Sequence, residues 1–217
     1  MPGASKPLGT GFLPLIFAVA RGLGAALDDE AAARVVTWLD LVTSWNAKID
    51  LTAARTTEEL VDLMLADALV LARLVAPNRS VIDVGSGAGG PGLALHLVRP
   101  DLSITLVEPL QKRISFLRTV AGHLPAARAG ALQIVRARGE EIAGARPAAD
   151  VAVSRATLAP EDWLPLGAKL VGAKGSVWVL LAREAPPTLD GWEIRADERY
   201  AWPLTGAERR ALRYDPT

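Results

Sequence analysis

The chain has 217 residues, half of them hydrophobic, with 24 basic and 24 acidic side chains and no cysteine. That length suits one α/β domain with an extension, and the missing cysteine excludes disulfides, thiolate metal sites and cysteine nucleophiles. No apolar run reaches the length of a membrane span, and the zero net charge leaves any RNA contact to a local patch. The two halves differ in sign: residues 1–78 carry 6 basic and 9 acidic groups, and residues 79–217 carry 18 and 15.

Residues 1–11, with two prolines and three glycines, read as disordered. Phe12 to Ala20 is apolar, follows one lysine and ends Ala18-Val19-Ala20, the outline of a secretory signal. The rival reading, a helix from Pro14 to about Leu27 packed on the main domain, is favoured by the single lysine and the lack of cysteine. Asp28-Asp29-Glu30 caps a helix over 29–47, whose Val35, Trp38, Leu39, Val42 and Trp45 share one face. Thr57, Glu58 and Glu59 open a third helix reaching about Val75, with Leu60, Leu63, Met64 and Leu71 as packing residues. These helices form an N-terminal extension, 1–78, before a ligand-binding domain, 79–217.

From Ser80 the pattern alternates: strand 80–84, helix 91–99, strand 103–108, helix 110–122, strands 132–136 and 150–154, helix 161–172, strand 175–182. This predicts an α/β fold with a mostly parallel, Rossmann-like sheet and helices on both faces. Gly191–Arg195 and Arg209–Tyr214 read as two more strands, an antiparallel pair at the sheet edge. The two histidines, His96 and His123, have no partners that suggest a metal site and read as surface or helix-end residues.

Gly85, Gly87 and Gly90 match G-x-G-x-x-G between the first strand and a helix, with Pro91 suited to the first helical position. A tight turn with no ligand satisfies that spacing as well. Glu108, about 20 residues on at the end of the second strand, is where a carboxylate grips ribose hydroxyls. Asp83 lies just before the first glycine, where a carboxylate disfavours a pyrophosphate and suits a positively charged sulfonium. S-adenosylmethionine is therefore favoured over NAD. Gly139 and Glu140, after the third strand, either meet an adenine ring or simply open a helix. Arg155, after the fourth strand, sits where reacting groups meet or pairs with a site carboxylate. Lys112 and Arg113 contact phosphate or belong to a solvated helix face, and Arg209, Arg210 and Arg213 read as surface.

Assembled, these segments resemble the bacterial 16S ribosomal RNA guanine-N7 methyltransferases, the glucose-inhibited division protein B family. Trp45-Asn46-Ala47-Lys48-Ile49-Asp50-Leu51-Thr52 is similar to W-N-x-x-x-N-L-T, and Asp83–Gly92 to D-V-G-T-G-x-G-x-P-G. Pro109–Arg118 is similar to the S-L-x-K-R-x-x-F-L segment, and Val153–Ala156 to I-S-R-A. The resemblance implies a seven-stranded class I methyltransferase sheet, cofactor contacts at Gly85, Gly90, Gly139, Glu140 and Arg155, and ribosomal RNA of the small subunit as partner. It implies a divergent member: Asp62–Asp67 stands where the family has R-H-x-x-D-S, and Leu181-Ala182-Arg183-Glu184 where it has A-L-K-G. These differences fall on the substrate side, where Lys112, Arg113 and Arg183 are the candidate RNA contacts. Guanine N7 has no proton to lose, so no general base is needed. Arg155 would then position groups near the transferring methyl. The expected setting is cytoplasmic, for a monomer without metal or membrane. Methylation of a small molecule and non-catalytic RNA or protein binding stand as alternatives.

Overall fold

The computed structural model describes residues 7–125, 131–145 and 148–217. Of the segment expected to be disordered, residues 1–6 lie outside the described part. Gly9–Phe12 instead forms a 3₁₀ turn, because Asp40 accepts the amides of Leu8 and Gly9 at 2.9 and 3.0 Å. Helix α1 (Leu13–Gly22) follows, and its Ile16, Val19 and Ala20 join Phe12 of the turn in the core. It ends five residues before the expected Leu27, because Gly24 turns left-handed (φ +61°) and the Ala25 amide closes onto the Ala20 carbonyl at 2.9 Å.

Helix α2 (Asp29–Asn46) starts where expected, with the Asp28 carboxylate accepting the Ala31 amide at 2.6 Å. The third predicted helix is interrupted. It runs as α3 (Thr57–Val61), a π turn (Asp62–Ala66) and α4 (Asp67–Leu74). Its buried Leu60, Met64 and Leu71 pack as expected, along with two buried acids, Asp62 and Asp67.

The alternating part gives β1 (Ser80–Val84), α5 (Gly92–Val98), β2 (Ser103–Val107), α6 (Gln111–Gly122), β3 (Leu132–Val135), α7 (Gly139–Ile142), β4 (Ala149–Ser154), α8 (Pro160–Leu170), β5 (Val171–Leu181), β6 (Trp192–Ala201) and β7 (Glu208–Pro216). Seven strands form one sheet in the order β3-β2-β1-β4-β5-β7-β6. The first five run parallel, and β7 and β6 add an antiparallel pair at the edge, as expected. Alternate strand residues feed opposite cores. Val81, Ile104, Val151 and Trp178 pack with α1, α2 and α4, whereas Ile82, Val84, Ala152 and Val177 pack with α8. The N-terminal helices thus share one continuous apolar cluster with a face of the sheet.

Two local expectations need correction. Pro91 caps α5 rather than beginning it, its peptide with Gly90 is cis, and Gly92 takes the first helical position. His96 lies in the last turn of α5, at a helix end as expected, but is buried where α5 packs between the sheet and the N-terminal helices, whereas His123 is exposed at the end of α6. Among the described residues no helix is long and apolar enough to cross a membrane.

Candidate active site

Strand order reverses between β1 and β4, which opens a crevice over the C-terminal ends of the parallel strands. The glycine turn lies there and is braced from three sides. From β2, the Val107 carbonyl accepts the amides of Gly85 and Ser86 at 2.8 and 3.1 Å. From α2, the buried Trp38 indole donates to the Ala88 carbonyl at 2.9 Å. From β1, the Asp83 carboxylate accepts the Gly92 amide at 3.0 Å. Gly85 and Gly87 take left-handed conformations (φ +73° and +55°), and a Cβ at Gly85 would collide with Thr157. A Cβ at Gly87 would meet only the Gly85 carbonyl, at 3.8 Å, so open space lies before it.

A cleft of about 500 Å³ lies above this turn, lined by Gly85, Gly87, Gly90, Glu108 and Arg155 from the expected set, with Arg113 at its rim. Glu108 is buried, and its two oxygens accept the Gly87 and Leu110 amides at 3.0 and 2.9 Å. Each carboxylate oxygen has a further lone pair for a ligand hydroxyl. The Arg113 guanidinium lies 3.8 Å from Glu108. Asp83 stands behind the turn instead of lining the cleft. Burial pushes its carboxyl up to about 6, although the Gly92 amide and the charge of Arg155 pull the other way.

Of its two sequence readings, Arg155 shows the ion pair with a carboxylate directly. It lines the cleft, and it pairs with a carboxylate, Asp67, at 3.1 Å. The same nitrogen donates to the Leu63 carbonyl, and the other terminal nitrogen lies 2.9 Å from where a Cβ on Gly90 would stand. Gly139 and Glu140 open α7 at the end of β3 and do not line this cleft. Gly139 is buried against Val84 and Leu166, and Glu140 is exposed.

The cleft continues into a groove of about 1140 Å³ between residues 46–55 and the start of α6. Asn46 shapes its wall by accepting the Leu51 and Thr52 amides at 2.9 and 3.0 Å. Lys48, Arg55, Lys112 and Arg113 line it, against one acid, Asp50. Arg183 is exposed in a separate groove, beside Arg199, Arg209 and Arg210. Arg209, read as surface, stacks on Trp202 at 3.9 Å.

Sequence reasoning missed Leu63 and Met64 as cleft walls, Thr157 against the glycine turn, and Asp67. Asp67 carried a usable signal, being, with Asp62, one of two acids within an otherwise apolar helical stretch. Among the described residues, no group of three or more His, Cys, Asp or Glu could hold a metal.

Comparison with known proteins agrees with this architecture. A family model described as rRNA small subunit methyltransferase G matches residues 31–189. A protein of Anaeromyxobacter dehalogenans named Ribosomal RNA small subunit methyltransferase G is 37% identical over 207 residues, covering 91% of this chain and 95% of its own. One of the same name from Myxococcus xanthus is 32% identical, covering 88% and 90%. Among solved structures, TrmN from Thermus thermophilus shares the fold at a TM-score of 0.54 and 20% identity, covering 76% of this chain and 50% of its own. The glycopeptide N-methyltransferase MtfA, solved with S-adenosylmethionine, does so at 0.55 and 13%, covering 70% and 93%. On its sequence this chain belongs to the rRNA small subunit methyltransferase G family.

Proposed function

We propose that this chain transfers a methyl group from S-adenosylmethionine to N7 of a guanine in small-subunit ribosomal RNA, in the cytoplasm. One observation carries the reading: the glycine-lined cleft with its buried carboxylate opens directly into a groove with four cations. The donor set fits the cofactor. The open space before Gly87 admits a ligand against the backbone, and Glu108 offers free lone pairs to a ribose. When bound, S-adenosylmethionine supplies an electrophilic methyl on a sulfonium.

This chain's residues then have to align the attacking base. Arg155 holds the cleft wall beside Gly90 with a fixed guanidinium. Leu63 and Met64 form an apolar surface for an unstacked base, and a base in a loop enters most readily. Lys112 and Arg113 lie where the RNA backbone would run, and Arg183 serves a contact further along the sheet edge. No side chain need remove a proton from N7, so alignment is the main contribution.

The test is transfer of labelled methyl to small ribosomal subunits and to their naked RNA, with nucleoside analysis. The Glu108→Ala, Arg155→Ala double variant serves as the blank. Label in 7-methylguanosine above that blank is expected. A folded protein that labels neither substrate overturns the reading.

A further inference from the structure

Asp62 opens the π turn, Asp67 follows it, and both face the same neighbour, the end of the β6–β7 hairpin. A π turn is wider than an α turn, which brings residues five apart toward one side. Asp62 is fully buried and accepts the amides of Leu204 and Thr205 and the Thr205 hydroxyl, at 3.1, 2.9 and 2.8 Å. Those bonds pin the hairpin turn to the helix. Asp67, only 2% exposed, does something different. One oxygen accepts the Tyr200 hydroxyl at 2.8 Å and the Trp202 indole at 3.0 Å. The other faces Arg155 at 3.1 Å. A buried carboxylate with three donors is a fixed anchor, and a buried charge would be costly without them. Arg155 reaches it from across the cleft, and the adjacent Leu63 carbonyl accepts from the same guanidinium.

We propose that Asp67 is the positioning residue of this site: it holds Arg155 against the glycine turn, and Tyr200 and Trp202 hold Asp67. The proposal rests on the cleft being the methyl donor's site. Tyr200 and Trp202 come from the edge of the sheet, so through Asp67 the hairpin sets the place of a cleft residue.

Asp67→Asn separates the two arms. Its carbonyl still accepts from Tyr200 and Trp202, but its amide presents donors to Arg155 and breaks the ion pair. Nitrogen relaxation of the Arg155 side chain, recorded without ligand, reads the position directly. Arg155 is expected to be rigid in the native protein and mobile in Asp67→Asn. A rigid Arg155 in the folded Asp67→Asn protein overturns the proposal.

S-adenosylmethionine affinity gives the energetic counterpart. Asp67→Asn and Arg155→Ala are each expected to weaken binding about tenfold, and the double variant no further. Additive losses, or no loss in Asp67→Asn, would mean that Asp67 acts elsewhere. Tyr200→Phe keeps the ion pair and removes one anchor, so it loosens Arg155 less than Asp67→Asn. It carries the test where Asp67→Asn does not fold, and unchanged Arg155 dynamics there overturn the proposal. A native protein that binds no S-adenosylmethionine sinks the functional reading alone, because the relaxation measurement needs no ligand.

Discussion

Asp83, whose place before the glycines suggests a cofactor-facing carboxylate, stands instead as a brace beneath the glycine turn. Its place explains Gly92, where a Cβ would lie 2.5 Å from Asp83 and force the helix start away. Burial raises its carboxyl from an ordinary 3.8 to about 6, so the folded protein keeps a proton that the unfolded chain releases. The associated stability is complete below the unfolded value and is lost as pH rises through about 6. Asp83→Asn keeps an acceptor for the Gly92 amide without the ionisation. Relative to the native protein, the variant should gain roughly 2 kcal/mol on going from about pH 4.5 to about pH 8. Denaturant unfolding at both pH values measures this, and a difference that stays constant with pH would contradict it.

The elements show what the sequence makes legible and what it hides. Strands 80–84 and 150–154 and helix α2 are readable from apolar runs and a 3.6-residue period, because both cores depend on those faces. Strand β6 was read only over its first residues. Its remaining stretch, with Asp197, Glu198 and Arg199, is held by pairing with β7 and carries little of the apolar alternation that marks a strand. The π turn leaves no trace in the period, because residues 63–66 are all apolar and mask a phase slip of one residue. The glycine turn, Glu108 and Arg155 were legible from local spacing. Asp67 and Trp38 were visible only as residues, because their partners lie 88 and 50 positions away. Trp38 shows how an N-terminal helix can serve the cleft. Trp38→Phe preserves most of the packing and leaves the buried Ala88 carbonyl without its donor. A loss of about 1–3 kcal/mol in stability is expected, with weaker S-adenosylmethionine binding as the turn loosens. Thermal unfolding with calorimetric titration checks both, and full donor affinity in the variant would detach α2 from the site.

At the scale of the whole molecule, a chain with zero net charge has no general attraction for RNA, so its affinity must arise where cations gather. The groove beside the cleft gathers Lys48, Arg55, Lys112 and Arg113 on two segments brought together only by folding. The Asn46 clamp shapes one segment, and the first turn of α6 presents the other. Neutralising phosphates releases counterions, so log K falls with log salt by about 0.7 per contact on single strands. If all four cations meet phosphate, the slope for a single-stranded loop is about −3. Lys112→Gln and Arg55→Gln should each make it shallower by about 0.7, and neither should change S-adenosylmethionine affinity, since neither lines the donor cleft. Titrating fluorescent RNA across a salt series with each variant measures this. A slope near zero would move recognition from the phosphate backbone to the unstacked base and the apolar wall of Leu63 and Met64. Unchanged slopes in both variants would move the backbone track to the separate arginine groove at Arg183.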